Sequence, residues 1–173
     1  MKRLLFVATF FLLGIEVLTA QQINRVVVDP ALHREVLSGL CNRQGLETGL
    51  FGTWFNNEYK NYHPDTLLLK QLSPKINRVR FTIVFGSWCG DSKREVGRFF
   101  KVLDQAGYRG QPKIIAVQRS LKAGDVDISN LKIQRIPTFV VDYQGREIGR
   151  IVESPQKSLE ADLLSILNKT ENR

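Results

Sequence analysis

The chain has 173 residues, 43% of them apolar and 24% charged, which is enough for one globular domain with a packed core and short for two. Lys and Arg outnumber Asp and Glu by 25 to 17, a net charge of +8 that permits anionic partners without selecting one. Two Cys and two His exclude a disulfide-stapled mini-fold and a four-thiolate zinc site, and neither a metal nor a bound cofactor is expected.

Lys2 and Arg3 precede the apolar stretch Leu4 to Ile15, and Leu18-Thr19-Ala20 then offers a small residue just before polar Gln21-Gln22. Residues 1–20 read as an export signal. The apolar stretch is about 12 residues, below the ~20 a helix needs to cross hydrocarbon, and Glu16 interrupts its far side, so no permanent membrane anchor is expected. Export to a periplasm is the reading, with an extracellular location also open. In either place a dithiol tends to become a disulfide, and a catalytic thiol needs a supply of reductant.

The remainder divides into an N-terminal extension, residues 21–77, and a domain over residues 78–173. In the extension, Asp29-Pro30 has the form of a helix start, an acid at the N-cap followed by proline, and a short helix is predicted over Ala31 to Leu40. Gly39 to Gly52, with four glycines and mixed polarity, reads as loop. Trp54, Phe55, Tyr59 and Tyr62 then recur at about a helical repeat, as rings packing in a core do. Pro64-Asp65 opens a further helix with Leu67, Leu68, Leu69 and Leu72, closed by Ser73-Pro74.

From Arg78 the signals sharpen. Val79, Phe81, Ile83, Val84 and Phe85 form a β-rich run, apolar on both faces toward its end, as a central strand covered by helices on each side requires. It stops at Gly86-Ser87. A helix beginning between Cys89 and Ser92 follows from Val96, Phe99, Phe100 and Leu103 and fades at Gly107. Lys113 to Val117 is another strand, and Lys122 to Leu131 a polar connection with at most a short helix. Thr138 to Asp142 and Glu147 to Val152 form a hairpin through Gly145, and a last helix is predicted from Ser154-Pro155, with Leu159, Leu163, Leu164 and Leu167 on one stripe. The expected class is α/β, one mixed sheet flanked by helices, with a partly helical N-terminal extension.

Trp88-Cys89-Gly90-Asp91-Ser92 falls where the central strand hands over to its helix. Cys89 at a helix N-terminus faces backbone N–H groups that have no intrahelical partner, a position that stabilises a thiolate. Lys93 and Arg94 add to that effect, Asp91 opposes it, and Gly90 lets the chain turn tightly.

Phe85-Gly86-Ser87-Trp88-Cys89-Gly90-Asp91-Ser92, followed about fifty residues later by Ile136-Pro137-Thr138-Phe139, resembles the thioredoxin superfamily. The resemblance runs from Arg78 to about Asn168, a little over half the chain, and takes in the hairpin Tyr143 to Ile148 and the closing helix. It implies a thioredoxin-like fold, a cis peptide at Ile136-Pro137 opposite the reactive sulfur, and a groove in which Trp88, Gly90, Asp91, Ile136 and Pro137 meet an extended substrate. The chain departs from the family pattern at two positions. The usual C-x-x-C is here C-x-x-S, so Ser92 can donate a hydrogen bond to the Cys89 thiolate but cannot attack a mixed disulfide. At the place of the family's buried acid stands Ile83, a loss consistent with the first, because no resolving thiol remains to be deprotonated.

Monothiol exchange remains possible. Cys89 attacks a disulfide of a protein or small-thiol substrate and is released by an external thiol or by a second thiol of the substrate. Two alternatives stay open: a redox-inactive peptide-binding module built on the same groove, and a thiol sensor in which oxidised Cys89 is captured by Cys41 as a distant resolving thiol. Cys41 lies about 48 residues before Cys89, and a bridge between them would contribute roughly 4 kcal/mol by loop closure. His33 and His63 sit on separate predicted elements and offer no metal pair. Glu95, Asp104 and Asp142 are not brought together by any sequence signal, and the basic residues are dispersed without the stripe that nucleic acid requires.

Overall fold

The computed structural model describes residues 22–170, and the export signal lies outside them. Among the described residues, no helix is long and apolar enough to cross a membrane. The chain opens with a hairpin, β1 (Val26–Asp29) and β2 (Arg34–Leu37), where a helix was predicted. The Asp29 side chain accepts from the N–H groups of Ala31 and Leu32, and His33 takes a positive φ to close the turn. An aspartate caps a turn by the same bonds with which it caps a helix. The valines at 26–28 and 36 decide for strands, because β-branched side chains favour the pleated conformation.

Gly39–Cys41 is a third strand, β3, in the region read as loop, and it pairs antiparallel with a strand far ahead in the chain. The helices α1 (Arg43–Glu47), α2 (Gly49–Asn61) and α3 (Thr66–Leu72) follow. Of the leucines of α3, Leu69 and Leu72 are buried and Leu67 is exposed. Beyond them the predicted order holds: β4 (Arg80–Phe85), α4 (Gly90–Gln105), β5 (Lys113–Ala116), β6 (Thr138–Tyr143), β7 (Arg146–Val152) and α5 (Leu159–Asn168). The last helix begins later than Ser154-Pro155. Asp162 holds the N–H groups of Gln156 and Lys157 in a turn, and Ser158 caps the helix by accepting from Ala161.

One five-stranded mixed sheet results, in the order β3-β5-β4-β6-β7, with β4 and β5 parallel and the other pairs antiparallel. Its two faces are covered differently. Phe81, Ile83, Phe85, Ile114, Phe139 and Val141 join the large core with the buried sides of α2, α3, α4 and α5. Phe99 of α4 stacks on Phe139 at 4.3 Å between ring centroids. Val84, Ile115, Val117 and Ile136 form a smaller core on the opposite face. There the cover is the segment from Leu121 to Ile133, in which the connection expected to hold at most a short helix carries a 3-10 turn at Ser129–Leu131 and an isolated bridge between Ala123 and Val126.

The N-terminal extension is built into the larger core. Gly97 lets α4 approach α2 closely, since a Cβ there would lie 2.6 Å from the Phe55 carbonyl oxygen. Glu160, a buried acid of α5, ties that helix to the extension by accepting from the Tyr62 hydroxyl and the Asp65 N–H, while buried Glu95 pairs within α4 with Arg94 at 2.7 Å. Arg98 of α4 in turn pairs with Glu58 of α2.

Candidate active site

β4 ends at Phe85, and the chain turns through Gly86-Ser87-Trp88 so that Cys89 is the N-cap of α4. Glycine is required at 86, where a Cβ would meet the Ile136 side chain at 2.6 Å and the Trp88 ring at 2.8 Å. Ser87 and Trp88 are held from outside the turn: Ser87 Oγ accepts from the Leu37 N–H, Trp88 Nε1 donates to the Val117 carbonyl, and Arg34 donates to the Trp88 carbonyl. Cys89 is thereby held half-buried at the N-terminus of α4, where its side chain makes no cap hydrogen bond to the helix.

The sulfur meets the residue that the sequence placed opposite it. The Cys89 thiol donates to the Ile136 carbonyl oxygen at 3.6 Å, and the Ile136-Pro137 peptide is cis. Pro137 is followed directly by β6, and its own carbonyl accepts from Glu153 at the end of β7. Trp88, Cys89, Asp91, Arg119, Leu121, Gln134, Arg135, Ile136 and Glu153 line an open cleft of about 260 Å³. The structure therefore brings together Trp88, Cys89, Asp91 and Ile136, with Pro137 behind them. Gly90 is exposed, with open space where a Cβ would stand.

Ser92 is fully buried, and its hydroxyl oxygen accepts from the Gly86 N–H at 3.1 Å, a bond that ties the turn to α4. Asp91 is paired with Arg94 at 2.8 Å, which offsets the charge that opposes a thiolate at Cys89. Ile83 fills its place in the core with no solvent contact.

Cys41 is not brought to Cys89. Both thiols are free, Cys41 packs with the helix-covered core, and Cys89 packs with the core on the other face of the sheet. Burial pushes the Cys41 thiol up to about 12. His33 and His63 remain apart from the cleft, and among the described residues no cluster of His, Cys, Asp and Glu could hold a metal ion.

Three residues of the site escaped the sequence reading. Asp29 is buried, and besides capping its hairpin it accepts from the Arg119 N–H at 2.7 Å, bonds that hold its carboxyl below the usual range. Arg119 then lies over the Trp88 ring at 4.9 Å from its centroid, and Arg34 reaches the Trp88 carbonyl. Asp29-Pro30 signalled a turn, but nothing in the sequence says where that turn docks.

No family model and no curated protein matches the chain. Among solved structures, a protein of unknown function from Pseudomonas aeruginosa is similar at TM-score 0.51 and 18% identity, covering 68% of this chain and 81% of its own. An HIV epitope-scaffold is similar at TM-score 0.50 and 19% identity, covering 67% and 81% respectively. The thioredoxin of Schistosoma mansoni gives a TM-score of 0.37 at 20% identity, over 61% of this chain and 88% of that one. Identities this low speak for the fold alone. The five-stranded mixed sheet in this strand order, with helices flanking it and one following the central strand, gives the chain a thioredoxin-like α/β fold.

Proposed function

We propose that the chain carries out thiol–disulfide exchange through one sulfur, Cys89. The observation that supports this most is the 3.6 Å contact between that sulfur and the carbonyl before Pro137, at the rim of an open cleft. Loss of the thiol proton leaves an anion facing the N–H groups of α4 and frees the Ile136 carbonyl for an incoming backbone N–H. The Cys89 thiolate attacks one sulfur of a disulfide, forms a mixed disulfide and expels the other sulfur as a thiolate, which takes a proton from water. An external thiol then attacks the mixed disulfide and returns Cys89. Ser92 cannot perform this second step, and Cys41 packs in the core on the other face of the sheet, so release of Cys89 falls to an external thiol or to a second thiol of the substrate. Lys2, Arg3 and the apolar run after them support a protein that works outside the cytoplasm once residues 1–20 are removed.

The test compares wild type with Cys89→Ser on a peptide mixed disulfide in the presence of a small thiol. Turnover is expected to fall to the uncatalysed rate, and equal turnover sinks the reading. The lack of a second sulfur at Ser92 also suits a peptide-binding module. Peptide binding retained in Cys89→Ala, together with no turnover in wild type, selects that alternative.

A further inference from the structure

Charges around Cys89 are not evenly balanced. Each acid lining the cleft is bonded to an arginine, Asp91 to Arg94 at 2.8 Å, which also holds buried Glu95, and Glu153 to Arg135 at 2.9 Å. Around Trp88 the count differs. Arg119 lies over the indole, Arg34 is bonded to the Trp88 carbonyl, and among the described residues neither is in an ion pair. Asp29, the acid whose charge acts on Arg119, is buried, and both its oxygens already accept from backbone N–H groups of Ala31, Leu32 and Arg119. Arg119 itself is exposed. A guanidinium over an indole is attracted to the ring face and keeps N–H donors for the fork that fits a carboxylate. Its backbone is fixed by the Asp29 bond, so little freedom is lost on binding.

Resting on the exchange reading above, we infer that the cleft selects disulfides in extended peptides whose cysteine is flanked by an acidic residue, with Arg119 and Arg34 reading that carboxylate. The partner is thus an acidic polypeptide segment.

Three peptides identical except for Glu, Gln or Lys beside their single cysteine, each joined to 2-thiopyridine by a disulfide, provide the test. Attack by the Cys89 thiolate on the peptide sulfur makes one mixed disulfide, breaks one disulfide and expels pyridine-2-thiolate, which takes a proton from water to give 2-thiopyridone, read by absorbance. Each rate is divided by that with 2-mercaptoethanol, which removes the intrinsic reactivity of the peptide. The Glu peptide is expected to exceed the Lys peptide about five- to tenfold at low salt, the scale of a partly exposed ion pair. Added salt should shrink the ratio, a measurement on wild type that does not depend on how any variant folds. The ratio is expected to fall below about twofold in Arg119→Gln combined with Arg34→Gln, since what remains is screened background charge. Equal normalised rates for all three peptides, or a Glu preference that persists in the folded double variant, overturn the inference and leave exchange standing. No thiopyridone from any peptide overturns the exchange reading itself.

Discussion

Cys41 and Cys89 are the same side chain in opposite settings, on opposite faces of one sheet. Cys41 sits on β3 between strands and helices, where burial opposes ionisation and no substrate can arrive. Cys89 ends a turn at the rim of the thinly covered face, beside unpaired backbone N–H groups and an open cleft. The difference teaches that the cover of a sheet face sets the exposure of a thiol on it: packed helices seal Cys41, and an irregular segment leaves Cys89 at an open cleft.

The largest expected break in this comparison is kinetic. With iodoacetamide at neutral pH, Cys89 should be alkylated about a hundredfold faster than Cys41 in the native protein, and the two rates should converge in denaturant. Peptide mass mapping reads both sites at once, and comparable native rates would dissolve the contrast. Next comes the turn itself. Ser92→Ala removes the acceptor for the buried Gly86 N–H and is expected to cost about 1–3 kcal/mol in urea unfolding. It should also slow exchange, because the loop that carries Cys89 is released. An unchanged unfolding midpoint would mean that the Ser92 bond does not hold the loop.

A pH effect should mark Cys41. Its folded thiol is raised from 9.0 to about 12, so above pH 9 the unfolded chain loses a proton that the folded chain keeps. Its contribution is therefore fully present below about pH 9 and declines as pH rises, by at most about 1.4 kcal/mol per pH unit until about pH 12. Wild type should lose more stability than Cys41→Ala between about pH 8 and about pH 10.5. Parallel losses in the two proteins would show that the thiol does not feel its burial. The smallest effect is expected from Asp29→Asn, which weakens the bond to Arg119 and should lower exchange with acidic peptides two- to threefold, by roughly the weight of one charge-assisted hydrogen bond at a partly solvated site. The Asp29 carboxyl is held below its ordinary value by those backbone bonds, so its contribution is present above about pH 3.8 and lost as pH falls. A melting-temperature difference between wild type and Asp29→Asn that does not narrow in acid would contradict this.

Much of the site was legible in the sequence because its signals are local. A strand apolar on both faces, two turn residues and a helical repeat placed Cys89 at the N-terminus of α4, and the structure agrees. The hairpin at Asp29 was misread because one set of bonds serves both a helix cap and a turn. The bond that the buried Ser92 hydroxyl accepts from the Gly86 N–H was not legible, because it depends on how the turn folds back on α4.

The order of elements from Arg80 onward and the junction that carries Cys89 were determined by the sequence, since periodicity and capping act within a few residues. The tertiary structure decided on which face each thiol lies and which charges gather at Trp88. Asp29 meets Arg119 across 90 positions and Arg34 meets Trp88 across 54. Contacts of that span are set by how β1, β2 and β3 dock on the rest of the chain, and no local propensity encodes them.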